Sequence, residues 1–354
     1  MRLFTIKLEK PTTSLTNTIM NFKTISLSLM GAMLSLAPMK AIPYSPEYLQ
    51  AESDNGGSTQ YIRYGNFDQW LIRKVKESGV LGGDTKTLYC IAPNGTWNNN
   101  NAYHGSGGSP WATSNVMAKV SGITKTNVSV YREARSGHGY CAKLVTHLEE
   151  CKVLGIINVK VLAAGSIYLG QTQEPITDTK NPMAKLNAGI RFTKRPKAIM
   201  FDYKVHLSGA ANRIKQTGFG GASTVAGKDY PDCILYLQKR WEDAKGNIYA
   251  KRVGTMVHRF SSNTDWKNNQ SFAIQYGDIT KQSFYSSAWA LTSGDVTKYA
   301  KNSKGKMVPV KEVGWGSASD VPTHLVLQFD SSHGGAYIGS VGNTIWLDNV
   351  RLVY

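Results

Sequence analysis

IWLDNVRLVY, residues 345–354, decides the fold class. Ile345, Leu347, Asn349, Arg351 and Val353 alternate with Trp346, Asp348, Val350, Leu352 and Tyr354. β-Branched, aromatic and aliphatic residues in period two read as a strand about ten residues long. A segment near a chain end is ordered only when something ties it down, so this strand needs neighbours. A carboxylate between Leu347 and Val350 needs a partner as well.

Outward from that strand, similar runs recur at short intervals. They are RYGNFDQWLIR, TLYCIA, NVSVYRE, CAKLVTHLE, IINVKVLAAGSIYLG, KAIMFDYKVHL, CILYLQKRW, YAKRVGTMVHRF, SFAIQY and THLVLQFDSS. Gly, Asn, Ser and Pro separate them, which is the punctuation of an all-β sandwich. In KAIMFDYKVHL, Ile199, Phe201, Tyr203 and Val205 form the apolar set, and Met200, Asp202, Lys204 and His206 face away. In THLVLQF, Leu325, Leu327 and Phe329 point inward, with His324 and Gln328 opposite as possible neighbours of Asp202 and Lys204. The first and last strands of a sandwich often lie together, so GNFDQW (65–70) is expected beside IWLDNVRLVY. Two long polar insertions, 92–122 and 277–320, interrupt the rhythm, and insertions of that length usually bind or move.

Residues 20–41 read as a secretory signal: Lys23, then an apolar core from Ile25 to Leu36, with Ala41 as the cleavage position. The core is too short to span a membrane. Met20 is the better start, and residues 1–41 are set aside as a mis-started terminus plus signal. Residues 42–60 are expected as a linker and 61–354 as one domain. Export would permit disulfides between Cys90, Cys141, Cys151 and Cys233, a local Cys141–Cys151 bond among them; free thiols are the alternative. The net charge is +17; residues 1–41 hold five basic residues and one acidic, which leaves +13 beyond them. Such an excess favours an anionic partner. No basic run is interleaved with aromatics, so nucleic acid is excluded, and an acidic glycan or anionic envelope fits better.

The end motifs Asn66-Phe67-Asp68 and Leu347-Asp348-Asn349-Val350 are similar to those of galactose-binding-like jelly rolls. Together with KESGVLGGDTKTLY, PWATSNVMAKVSG, LAAGSIYLG and RFTKRPKAIMFDYKV, the chain from about residue 60 to 354 resembles the carbohydrate metabolism domain family of gut bacteria. That resemblance implies a jelly-roll β-sandwich that binds or processes glycans in the cell envelope.

Trp97, Tyr103, Trp111 and Trp315 are candidate stacking surfaces for sugar rings, each weighed against a role as a lid on the core; Trp70 and Trp346 are expected in the core. Arg135, Asp202 and Lys204 are candidates for reading hydroxyls or a carboxylate. If the 92–122 insertion folds over the Asp202–Lys204 face, a groove lies between them. Asp68 and Asp348 are candidate ligands of a structural calcium; the alternative gives Asp348 an Arg or turn amides. Glycoside cleavage needs paired carboxylates, and Glu133, Asp202, Asp232 and Asp330 are available without a spacing that selects two. The first expectation is therefore an exported, non-catalytic glycan-binding sandwich. A hydrolase or lyase on the same fold, or a structural envelope component, are the alternatives.

Overall fold

The computed structural model describes residues 49–354 apart from 55–56, 106, 121, 154–156, 178–180 and 219. The expected signal segment lies outside these residues, as do 42–48. The architecture is all-β, with two large sheets packed face to face and smaller sheets at their margins. Among the described residues, no helix is long and apolar enough to cross a membrane.

The seven-stranded sheet is built around the last strand, Thr344–Val353. On one side it pairs along its length with Ala198–His206, which pairs in turn with Thr264–Ala273. On the other side two strands share it. Tyr140–Val145 takes the first half, with Leu347 opposite Ala142, and Gly57–Ile62 takes the second, with Arg351 opposite Tyr61. The last strand is thus central, and its neighbours on both sides supply the restraint that a terminal strand requires.

The Asp-Asn pair marks the change of neighbour. Met200 faces Arg351 and Asp202 faces Asp348, so the last strand carries one extra residue between the two positions. Asn349 absorbs it at φ 54°, a left-handed conformation that Asn tolerates better than most residues. The bulge also resets the alternation: Ile345 and Leu347 are buried before it, Val350 and Leu352 after it. At the same point Val350 N–H donates to the Gly65 carbonyl at 2.8 Å. A Cβ on Gly65 would lie 2.7 Å from both the Ile62 and Val350 oxygens, so no larger residue fits. Asn349→Val is expected to cost about 1–3 kcal/mol in chemical denaturation, and Asn349→Gly less, because only the β-branched residue resists positive φ. Equal losses would mean that the Asn349 side chain, not its backbone, matters.

GNFDQW therefore touches the last strand as a turn, and Trp70 begins a strand (Trp70–Lys76) of a separate small sheet. Residues expected as linker form the paired strands Leu49–Asp54 and Gly57–Ile62. Their edge satisfies the second half of the last strand, a role that Gly- and Ser-rich composition conceals.

The ten-stranded sheet contains Asp232–Glu242, Ile248–Arg259 and His324–Asp330 at its centre. Its inward residues Cys233, Leu235, Leu237, Leu325, Leu327 and Phe329 meet Ile199, Phe201, Ile345 and Leu347 in one core. His324 and Gln328 project from the opposite side of this sheet, so they are not neighbours of Asp202 and Lys204. All four cysteines are free; Cys90, Cys141 and Cys233 are buried, and burial pushes the first two up to about 12, where a thiol is inert.

Candidate functional site

The outer face of the seven-stranded sheet collects three of the predicted polar residues. Asp202 and Lys204 leave Ala198–His206 on the side opposite Phe201 and Val205. Arg135 reaches them from the loop after Val130–Ala134. Its Nη1 donates to Asp202 Oδ2 at 2.9 Å and to Asp348 Oδ2 at 2.6 Å. Its Nη2 donates to Asn268 Oδ1 at 2.7 Å, and the guanidinium lies 3.9 Å from the Trp266 ring centroid. One buried cation thus sits between two buried acids. Burial opposes ionisation of Asp202, but the Asn269 N–H, Asn349 and Arg135 outweigh it and hold the carboxyl below its usual range. Burial dominates at Asp348 and lifts it to about 7, with Arg135 pulling down and Asp202 pushing up. This cluster joins three strands and a loop, and its donors are already occupied.

The expected calcium pair is not built. Asp348 gives its second oxygen to the Asn349 N–H at 2.8 Å. Asp68 accepts from the Tyr140 N–H at 2.9 Å and from Asn66 Nδ2 at 2.8 Å. The two acids serve separate donors, and a guanidinium already neutralises Asp348, so this donor set does not fit a calcium shared between them.

Beside the Arg135 cluster the same face is partly exposed, through Lys143, Lys204 and Trp346. Trp346, expected in the core, projects outward because it alternates with Ile345 and Leu347; it is half-buried. Glu133 Oε1 accepts its indole N–H at 2.7 Å and so fixes the ring. Lys204 Nζ lies 4.3 Å and Lys143 Nζ 5.4 Å from the ring centroid, from the two flanking strands. Lys143 also pairs with Glu133 Oε2 at 2.7 Å. Burial opposes ionisation of Glu133, and Lys143 and Trp346 outweigh it to hold the carboxyl below its usual range. The result is a fixed indole flanked by two ammonium groups against one carboxylate. The period-two alternation held the signal for Trp346, but its aromatic bulk suggested burial.

The aromatics of the 92–122 insertion lie elsewhere. Trp111 is 3% exposed, packs edge-on against Phe67 and donates to the Arg63 carbonyl at 3.0 Å. It is a core residue, not a stacking surface, because its strand Trp111–Thr113 pairs with Ser166–Thr172 in the ten-stranded sheet. Trp97 packs on Tyr103 in a small cluster with Leu71, Cys90 and Ala92, and Arg73 lies 5.1 Å from the Tyr103 centroid. The recess bordered by Tyr103, Trp111, Gln171 and Glu174 closes down to water size, too small for a sugar ring. The strands of the insertion thus pair with the ten-stranded sheet, with Trp70–Lys76 and with Ile123–Asn127, and among the described residues none pairs with Ala198–His206 on the Asp202–Lys204 face. Trp315 ends the strand Met307–Trp315, half-buried with Arg252 5.8 Å from its ring centroid.

Comparison with known proteins places these features in context. No curated protein matches the chain. A solved structure from Bacteroides thetaiotaomicron, titled a putative glycoside hydrolase, shares 17% identity over 65% of this chain, with a TM-score of 0.38. The chain spans 58% of that protein's length. The family model described as "Putative carbohydrate metabolism domain" matches residues 83–353, from before the first insertion to within the last strand. The chain belongs to that carbohydrate metabolism domain family.

Proposed function

We propose that the protein binds glycans on the outer face of the seven-stranded sheet, with Trp346 as the stacking surface and Lys143 and Lys204 as the groups that select an acidic sugar. The observation that carries this reading is the indole held by Glu133 between two ammonium groups on a solvent-facing sheet. A sugar ring presents axial C–H groups to an indole face, while its carboxylate or sulfate takes the ammonium groups. Lysine stems are flexible, so both can swing from the ring to its rim as the sugar lands. The +13 balance beyond residue 41 favours the same anionic ligand at longer range.

A glycan array probed with residues 42–354 tests this. Uronic or sulfated oligosaccharides are expected above their neutral counterparts, with binding that weakens as salt rises. Preference for neutral glycans, insensitive to salt, would contradict the lysine assignment.

We further propose that the protein works outside the cytoplasm, supported by the signal-like run 20–41. The mature chain is expected to begin near Ile42 in envelope fractions. Mass spectrometry finding an intact Met1 or Met20 terminus there would contradict export with cleavage.

A further inference from the structure

The ten-stranded sheet closes on itself. His324–Asp330 pairs with Asp232–Glu242, and the order runs through Ile248–Arg259, Met307–Trp315, Tyr299–Lys301, Leu186–Ala188 and Ser166–Thr172 back to His324–Asp330. The side of these strands that faces away from the sandwich core is largely polar. Arg252 and Glu312 pair there fully buried, Gln238 donates to Glu312 at 2.6 Å, and buried Lys298 donates to Gln328 at 2.7 Å. Residues 288 and 289 cover the apolar part, on Ile234, Tyr236, Val257 and Val326.

At one end of this ring a row crosses four strands: Ser166 opposite Asp330, Asp330 opposite Asp232, Asp232 opposite Arg259. Neighbours directly opposite in antiparallel strands hold their Cβ atoms about 4.5–5.5 Å apart. The two carboxyl groups have different surroundings. Asp330 is half-buried and accepts from Gln328 Nε2 at 2.9 and 2.8 Å and from the Ser166 hydroxyl, with Lys298 nearby. Asp232 is 7% exposed, and its Oδ1 has no hydrogen-bond partner. A buried carboxyl oxygen without a partner is costly and points to a missing donor or acceptor.

The surroundings point the same way. Ser340, 4% exposed, has a buried hydroxyl without a partner, and Arg213 has a buried Nε without one. Both belong to the Asp229 neighbourhood: Ser340 N–H donates to Asp229 Oδ2 at 2.8 Å, and Ile214 beside Arg213 pairs with Gly339 beside Ser340. His333 Nδ1 lies 3.3 Å from Asp229 Oδ1, and its ring stacks on Tyr230. Three unsatisfied polar atoms, an exposed Arg259 and a stacked ring pair thus gather at one end of a ring of strands, and the ends of β-barrels commonly hold ligands.

We propose that Asp232 and Asp330 are the acid and nucleophile of a glycoside-cleaving site at this end of the ten-stranded sheet, acting with retention of configuration. Direct opposition across two antiparallel strands favours the close carboxyl spacing of retaining enzymes over the about 6.5–9.5 Å of inverting ones, which leaves room for a water between nucleophile and anomeric carbon. The Asp330 carboxylate bonds to the anomeric carbon as the glycosidic C–O bond breaks, and Asp232 passes its proton to the leaving oxygen. Asp232 then takes a proton from water as the water oxygen bonds to the anomeric carbon and Asp330 departs. Burial, then the charge of Asp330, push Asp232 well above the carboxylate range. Burial raises Asp330 as well, but Lys298, Gln328 and Ser166 pull it back toward the charged form, a support that Asp232 lacks from hydrogen-bond donors. This inference rests on the family's tie to carbohydrate, not on the Trp346 face.

The test is covalent trapping with the full chain. Dinitrophenyl 2-deoxy-2-fluoro glycosides of glucose, galactose, mannose, xylose and glucuronic acid supply a departing group that needs no acid. The intact mass is expected to rise by one fluoroglycosyl unit with at least one of them, and peptide mapping is expected to place it on Asp330. Asp330→Asn should stay unlabelled. Asp232→Asn should still be labelled yet lose at least a hundredfold in turnover of natural glycans, whose leaving groups require protonation. An unlabelled native protein across the panel, or a label on another residue, overturns the proposal whatever the variants do. Glycan affinity at Trp346 is read separately, so either reading can fail while the other stands.

Discussion

Trp111→Ala is expected to lower the stability of the fold by about 3–5 kcal/mol, the scale of emptying a buried indole site. Trp111 is 3% exposed, its ring meets Phe67 at 5.4 Å between centroids, and its N–H satisfies the Arg63 carbonyl. Truncation removes that bond and leaves a void between the turn that precedes Trp70 and the ten-stranded sheet. A barely shifted denaturation midpoint would mean that the site collapses around the smaller residue. Material that remains folded is expected to keep its glycan affinity, because Trp111 lies away from the Trp346 face. A stable variant with weakened binding would return the site to the 92–122 insertion.

Arg135→Met is expected to cost a similar 3–5 kcal/mol, because it strands two buried acids that one guanidinium now serves. The loss should depend on pH with a definite sign. In the native protein Asp348 titrates near 7, above an ordinary carboxyl. A raised folded value means that the folded state holds the proton more tightly. That contribution is therefore fully present at low pH, below the unfolded value, and is lost as pH rises through 7. Asp202 has a depressed value, so its contribution is present at neutral pH and is lost only as pH falls through that value. Without Arg135, burial acts unopposed by the cation on both acids, and Asp202 joins Asp348 in destabilising the fold as pH rises. The gap between variant and native protein should thus widen from pH 5 to pH 8 in denaturant melts. A gap independent of pH would show that lost packing on Trp266, not charge, is the cost.

The alternation in KAIMFDYKVHL and THLVLQF was legible in the sequence because one face of each strand joins the common apolar core and the other carries mostly polar residues. The last strand was legible as a strand but not as a central one. Centrality depends on pairing with Gly57–Ile62, whose composition looks like a linker, and with Tyr140–Val145, which lies about two hundred residues away. The bulge at Asn349 shifts the alternation by one residue, so no single period-two set contains all four of the buried Ile345, Leu347, Val350 and Leu352. Asp202 and Lys204 were singled out because charged residues on a strand face attract attention, and Arg135 as a cation in the loop after Val130–Ala134. The outward position of Trp346 was missed because an indole in a strand is more often core. The opposition of Asp232 and Asp330 is a matter of register between strands about ninety residues apart, and no local spacing encodes it.

Trp346→Ala tests the glycan face most directly. Calorimetric titration of native and variant protein with an acidic oligosaccharide retained from the array reads the effect, with melting curves as the control. Removing a stacking indole is expected to cost about 1–3 kcal/mol of binding, at least a fivefold loss of affinity, while its half-buried position outside the sandwich core leaves the melting temperature within a few degrees. Undiminished affinity in a folded Trp346→Ala protein would contradict the assignment and move the ligand off the seven-stranded sheet.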